Sequence, residues 1–331
     1  MRPASRLSLA FADGHVALPE VGRVAVFGAT AGADLSALPQ ERVHCLTRMK
    51  PDRDALAARG WLCNLRPEGR YSLSIVLLPR AKAQARARLA WAAAVTDGPV
   101  IVDGDKTDGI ESVLKDLRKR GVVSAPLSKA HGKLFSFDPA AFDLSDWAEG
   151  APQEIEEGFV TLPGVFSADG IDPASRALAE ALPEDLGKHV IDLGAGWGYL
   201  SARALERESI ERIELVEADH AALDCARINV PDARAVMHWD DALRFRPERR
   251  ADTVIMNPPF HQGRKGAPEL GQGFIATAAA CLKPDGTLYM VANRHLPYEG
   301  VLAQSFAHVE EFGGDGRFKL LAASRPTRKR R

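Results

Sequence analysis

The stretch Lys188–Leu193 (KHVIDL) runs straight into Gly194-Ala195-Gly196-Trp197-Gly198, and a helical pattern continues through Leu205. A short apolar run, a glycine turn and a helix in direct succession leave few folds open. Glycines let a backbone turn sharply and come close to a ligand. The unit reads as the opening of a doubly wound α/β sheet with a ligand over the turn. A dinucleotide fold would want GxGxxG, with a phosphate at the helix N-terminus. Here the spacing is GxGxG, and Asp192 stands two residues before it. An acid there repels a pyrophosphate and suits an amino group. S-adenosylmethionine carries an α-amino group and no phosphate, so the loop favours it over a nicotinamide dinucleotide.

The strands that follow supply further acids. Ile213–Val216 (IELV) ends in Glu217, and an acid at a second strand's end can accept both ribose hydroxyls. Asp219 competes for that role but reads as the cap of the next helix. Val236–Trp239 leads to Asp240-Asp241-Ala242. Asp241 is the expected partner of the adenine amine, with Asp240 the neighbouring alternative and a turn cap the structural alternative for either.

Ala251–Met256 (ADTVIM) is a buried-strand pattern, and Asn257-Pro258-Pro259-Phe260 follows at its end. Asn-Pro marks ordinary turns, but open α/β sheets place ligands just past the C-terminal ends of their strands. The residue types suit a planar group bearing an NH₂. Its lone pair is delocalised into the ring, so it is a poor nucleophile. An Asn oxygen and the Pro258 carbonyl can accept its two N–H bonds and favour a tetrahedral nitrogen. Proline's fixed φ stiffens the turn, and Phe260 offers a face for stacking. Such catalysis works by orientation and electrostatics. Beyond it, His261, Arg264 and Lys265 lie in a polar, glycine-rich loop beside the expected pocket.

At 331 residues, two domains are expected. The acidic, proline-bearing stretch Asp138–Gly158 marks a boundary, giving residues 1–150 and 151–331. The first half also alternates strands and helices: strands at Gly22–Gly28, Arg42–Thr47, Tyr71–Leu78, Pro99–Asp103, Val122–Ser124 and Leu134–Phe137, helices at Ala81–Val95 and Gly109–Arg120. Its first turn, Gly28-Ala29-Thr30-Ala31-Gly32, fits neither GxGxxG nor GxGxG, so this half reads as α/β without a competent cofactor site. Basic residues outnumber acids from Arg42 to Arg88, which is either a solvated face or a surface for an RNA backbone. Lys129, His131, Lys133 and the tail Arg328–Arg331 would add to it. The net charge of −1 gives no global basic signature. The four Cys carry no CxxC pairing, which argues against a zinc site or disulfide framework and suits a reducing cytoplasm. No apolar run is long enough to span a membrane.

At this point the second half resembles class I S-adenosylmethionine-dependent methyltransferases, and more narrowly the RsmC family, which methylates a guanine exocyclic amine in small-subunit ribosomal RNA. The resemblance rests on LPGVFSADGID (162–172), DLGAGWG (192–198), NPPFH (257–261), VANRHLPY (291–298) and GRFKLLAA (316–323), and in outline on LLPRAKA (77–83) and KAHGKLFSF (129–137). It implies two tandem Rossmann-like methyltransferase domains, the N-terminal one degenerate. It implies cofactor binding by Asp192, Gly194, Gly196, Gly198, Glu217 and Asp241, with Phe166 near the methionine end. Asn257, which also borders the cofactor, would place the target together with Pro258 and Phe260. Bulky Trp197 and Tyr199 flank the last loop glycine and are expected to narrow the pocket. The expected partner is ribosomal RNA or the small subunit, engaged by a cytoplasmic monomer without membrane or metal, the base swung out of its stack. Other acceptors fit the same pocket: large-subunit guanine, DNA adenine or a protein Gln. A non-catalytic RNA-binding assembly factor is the rival from another class, and Asp192, Glu217 and Asn257 argue against it.

Overall fold

Parallel strands covered on both faces read as unbroken apolar runs, and the central strands of both halves have that character. The computed structural model describes residues 5–259, 261–262, 265–266 and 268–327, with side chains omitted from 261 to 268. Phe260, Arg264 and the basic tail lie outside the described residues, as do the side chains of His261 and Lys265. The chain divides into two units, Met1–Ala151 and Pro152–Arg331.

The first unit contains helices α1 (Arg6–Ala12), α2 (Lys50–Ala58), α3 (Lys82–Val95) and α4 (Ile110–Arg118). Its strands are β1 (Val24–Phe27), β2 (Val43–Leu46), β3 (Leu62–Asn64), β4 (Leu73–Leu77), β5 (Val100–Asp105), β6 (Leu127–Lys129) and β7 (Gly132–Phe137). They form one sheet in the order β3-β2-β1-β4-β5-β7-β6, parallel except for the antiparallel pairs that β7 makes with β5 and β6. Val122–Ser124 is not a strand as expected. Only Val123 bridges to Phe137, and the edge position goes to β6.

The second unit opens with the hairpin β8 (Gln153–Glu154) and β9 (Val160–Thr161). Its main strands are β10 (His189–Leu193), β11 (Arg212–Glu217), β12 (Ala235–Trp239), β13 (Ala251–Met256), β16 (Leu282–Asn293), β17 (Phe306–Gly314) and β18 (Phe318–Pro326). The short pair β14 (His261–Gln262) and β15 (Lys265–Gly266) follows β13. The helices are α5 (Pro173–Ala181), α6 (Tyr199–Ala204), α7 (His220–Asn229), α8 (Pro268–Cys281) and α9 (Glu299–Ser305). The sheet order is β12-β11-β10-β13-β16-β18-β17. Numbered within each unit, both sheets read 3-2-1-4-5-7-6, with the seventh strand antiparallel to its neighbours.

The main sheet of the second unit buries apolar residues on both faces. Val190, Ile213 and Leu215 pack with α5, α6 and α7, while Ile191, Val216 and Met256 pack with α8 and α9. One acid sits in this interior. Burial would raise the Glu214 carboxyl, but hydrogen bonds from His189 (2.9 Å), His238 and Arg212 (3.0 Å) hold it well below the usual carboxylate range.

The two first turns differ in a way that explains why only one is competent. Gly28 and Gly194 are equivalent: both have positive φ, and each donates its N–H to the second strand's last apolar carbonyl, Leu46 or Val216. In the second unit Gly196 and Gly198 also have positive φ, and α6 starts at once. In the first, Thr30 stands where Gly196 would, Gly32 lacks positive φ, and no α-helix lies between β1 and β2. Arg88 Nη1 lies 2.0 Å from where a Cβ on Gly28 would sit, so a cation covers this turn. A cavity of about 340 Å³ remains at these strand ends, lined by Arg6, Arg48 and Arg88 and by Asp103 and Asp105. Arg6 is paired with both acids, at 2.6 and 2.7 Å.

The basic excess of the first unit is largely engaged internally. Arg42 donates to the carbonyls of Pro19 and Glu20, and Arg59 to that of Ala31. Lys50 pairs with Asp54, Arg70 with Asp97, and Lys82 and Arg86 with Asp116. These side chains tie loops and helices to the sheet rather than forming an unengaged stripe.

Candidate functional site

The candidate residues fall along one edge. β12, β11, β10 and β13 are adjacent and parallel, so the segments after them share the C-terminal end of the sheet. Asp240 and Asp241 follow β12, Glu217 ends β11, the glycine loop follows β10, and Asn257 follows β13. The row spans three strand spacings, about 14 Å, across the point where strand order reverses.

The three loop glycines have φ of 77°, 57° and 93°. A Cβ on Gly194 would meet the Phe274 ring at 3.1 Å, and one on Gly198 would meet Val230 Cγ2 at 2.8 Å. Around Gly196 nothing lies within 4 Å. Gly194 and Gly198 therefore serve tight packing, and Gly196 faces open space. Gly198→Ala is expected to cost about 1–3 kcal/mol from backbone strain, plus the Val230 overlap. A urea titration of the full chain will read this as a lower midpoint with unchanged slope.

Asp192 is fully buried. Its Oδ2 accepts from Ser201 Oγ at 2.7 Å, and its Oδ1 has no hydrogen-bond partner among the described residues. Burial pushes this carboxyl up to about 7, against the Ser201 hydrogen bond, and Glu217 adds to the rise. Glu217 is clasped by backbone: Oε2 accepts from Gly196 N (2.8 Å) and Oε1 from Asp219 N (2.7 Å). It keeps some solvent contact but is surrounded by protein, and desolvation raises it to about 7 as well. Asp219 caps α7 through Ala221 N. Asp241 Oδ1 accepts from Leu243 N, and Asp240 Oδ1 from Asp241 N, so each acid has one oxygen in the local turn.

Trp197 and Tyr199 do not narrow the site. Both are buried in the core, their rings 5.3 and 5.5 Å from that of Phe159, on the side of the loop away from the open space. Their position beside Gly198 did not fix their direction. Trp197 also ties two segments together. Its Nε1 donates to the Phe166 carbonyl (3.0 Å), and its own carbonyl accepts from Asn229 Nδ2 (2.8 Å). Asn229 also bonds both backbone groups of Val160. The segment 160–170 is thus joined to the glycine loop, leaving the Phe166 ring 59% exposed.

At the other end of the row, Asn257 Nδ2 donates to Asp172 Oδ2 (2.9 Å) and to Ser175 Oγ (2.8 Å). Asp172 is the N-cap of α5, accepting from Ser175 N at 2.8 Å. With both amide protons engaged, Asn257 presents Oδ1 as its remaining group. Pro258 is buried behind it and Pro259 is exposed. Among the described residues, no group of three or more His, Cys, Asp or Glu could hold a metal ion, and no helix is long and apolar enough to cross a membrane.

The site suits a small cationic nucleoside: an unpaired buried carboxylate oxygen, an acid on the loop amides and open space at Gly196. The 3-2-1-4-5-7-6 sheets and this edge define the class I methyltransferase fold. A family model of the methyltransferase small domain matches residues 156–322. The ribosomal RNA small subunit methyltransferase C of Hahella chejuensis is 31% identical over 274 residues, covering 78% of this chain and 75% of that protein. Its counterpart in Shewanella oneidensis is 31% identical, covering 76% and 77%. The ribosomal RNA large subunit methyltransferase G of Shewanella amazonensis is 36% identical over 68% of this chain and 62% of its own length. The solved T. thermophilus 16S rRNA N2 methyltransferase RsmC, in complex with AdoMet and guanosine, superimposes with a TM-score of 0.78 at 27% identity, covering 93% of this chain and 89% of that one. The chain belongs to the ribosomal RNA small subunit methyltransferase C family.

Proposed function

We propose that this protein methylates the exocyclic N2 amine of a guanine in small-subunit ribosomal RNA, with S-adenosylmethionine as donor. The observation that carries the reading is Asn257, whose amide protons are both engaged so that only its oxygen is left for an NH₂ group. When bound, S-adenosylmethionine supplies a methyl carbon whose bond to sulfur breaks as the amine lone pair forms the N–C bond, the electron pair leaving on sulfur. Asp192 and the Gly194–Gly198 loop would hold the amino acid end, Glu217 the ribose, and Asp241 or Asp240 the adenine. Asn257 Oδ1 and the Pro258 carbonyl would accept the two N–H bonds of the guanine amine, turning its lone pair out of the ring. Phe260 would stack the base. The surplus proton leaves the nitrogen to water. The first unit, lacking a competent glycine turn, would support the second or engage RNA.

Small-subunit RNA is favoured over large-subunit RNA because the C-type relatives cover more of both chains than the G-type relative does. The test is transfer of labelled methyl to purified subunits from cells lacking this protein. Label in small subunits alone is expected, and label in large subunits alone would move the target.

The raised carboxyls add a pH signature. A protonated Asp192 or Glu217 is neutral and attracts a cation less. Cofactor affinity is therefore expected to rise as pH increases through about 7, where both groups ionise. Isothermal titration from pH 6 to 8 checks this, and a flat profile contradicts it.

A further inference from the structure

We propose that Asp172 and Ser175 are positioning residues that fix the Asn257 amide with its oxygen towards the acceptor amine, an inference that rests on the substrate reading above. An unconstrained Asn side chain presents either its oxygen or its NH₂, and only the oxygen can accept an N–H bond. Here Asp172 Oδ2 and Ser175 Oγ take both Nδ2 protons, at 2.9 and 2.8 Å. A flipped amide would turn its oxygen against the Asp172 carboxylate, an acceptor-only group when ionised. The flip is opposed by charge as well as by lost bonds.

Asp172 is itself held. Its Oδ2 also accepts from Ser175 N at the first turn of α5, where the unpaired helix amides favour an anion. Pro173 opens that helix and fixes the backbone beside it. The amide orientation is thus set by the end of a helix 85 residues away in sequence. The carboxylate does more than orient. A charge-assisted bond on Nδ2 polarises the amide and makes Oδ1 the stronger acceptor. It also puts a negative charge behind the nitrogen that turns cationic as the methyl arrives.

Capping alone does not account for this arrangement. Ser, Asn and Asp cap helices about equally well, and a cap needs no reach to residue 257. Asp172→Ser keeps an N-cap and shortens the side chain away from Asn257. Ser175→Ala removes the other acceptor. The paired variant is expected to lose roughly ten- to hundredfold in kcat, with the KM for S-adenosylmethionine within about twofold of wild type and α5 intact by circular dichroism. In an Asn257→Ala background the same pair is expected to change kcat less than about twofold, because its effect passes through Asn257.

A second reading is independent of turnover. The Asn257 side-chain amide resonances, assigned by their loss in Asn257→Ala, are expected to exchange with solvent at least about tenfold faster in the paired variant. Losses that add to that of Asn257→Ala, or unchanged amide exchange, overturn the proposal. Failure of the wild type to methylate a guanine amine would instead overturn the substrate reading, and the exchange measurement would still decide the positioning.

Discussion

Asn257→Ala is expected to lower kcat roughly 10²- to 10³-fold, the scale of removing one preorganised hydrogen-bonding group from a reacting centre. Cofactor affinity should change little, because Asn257 follows β13 whereas the cofactor-facing acids lie on β10 and β11. The side chain is an acceptor that acts on the amine as it becomes tetrahedral, and so it favours the transition state over the ground state. Asn257→Asp is a sharper version of the same test. It keeps an oxygen at the site but replaces the amide nitrogen with a second oxygen facing the Asp172 carboxylate. Like charges there would force one carboxyl to hold a proton or move away. Single-turnover rates with cofactor saturating will separate the loss of chemistry from any loss of binding. Full activity in Asn257→Ala with normal cofactor binding would remove the residue from the mechanism.

Asp192→Asn is expected to act in opposite directions on stability and on binding. The wild-type carboxyl is raised to about 7 by burial, whereas in the unfolded chain it titrates near 4. Between those values the folded state holds more protons than the unfolded one, so this group's contribution makes stability fall as pH rises. The penalty is small near pH 4, grows through pH 7 and is constant above it. Asparagine has no charge to desolvate. The protein without cofactor should therefore melt higher as Asp192→Asn at pH 8, by about 2–4 °C for each kcal/mol relieved, with the gap closing towards pH 4–5. Cofactor affinity should fall about 10- to 100-fold, the range for losing a hydrogen bond to a charged partner. Paired melting curves and titrations at pH 5 and pH 8 read both effects. A variant that melts lower at pH 8 would mean that the carboxylate is needed by the fold itself.

Much of the cofactor edge was legible because sequence and strand position coincide. Glycines with positive φ advertise themselves by type, and an acid at the end of an apolar run needs only the strand to be placed. Asp192, Glu217 and Asn257 all end or follow such runs, and the parallel sheet brings them to one edge. Asp172 was readable as a helix cap from the proline after it, but its second bond was not. That bond joins residues 85 positions apart, and no local pattern encodes it. Asn229 and Ser175 escaped for the same reason. Trp197 and Tyr199 were misdirected because a residue type next to a glycine does not say which way its side chain leaves the loop. β3 and β6 were missed because three residues are too few for a period, and both lie at the outer edge of their sheet. The basic excess of the first unit misled in a different way. Charge counts along a chain do not reveal partners such as Asp97 and Asp116, which arrive from other elements.

The identity of the methylated nucleoside tests the central claim most directly. Small subunits from cells lacking this protein, treated with the purified chain and S-adenosylmethionine, are digested to nucleosides and analysed by mass spectrometry. The account predicts a gain of guanosine methylated on its exocyclic N2, abolished in Asn257→Ala. Methylation of a guanine ring nitrogen, of a ribose or of another base would contradict it, because an oxygen acceptor held at the end of β13 has no role in those reactions.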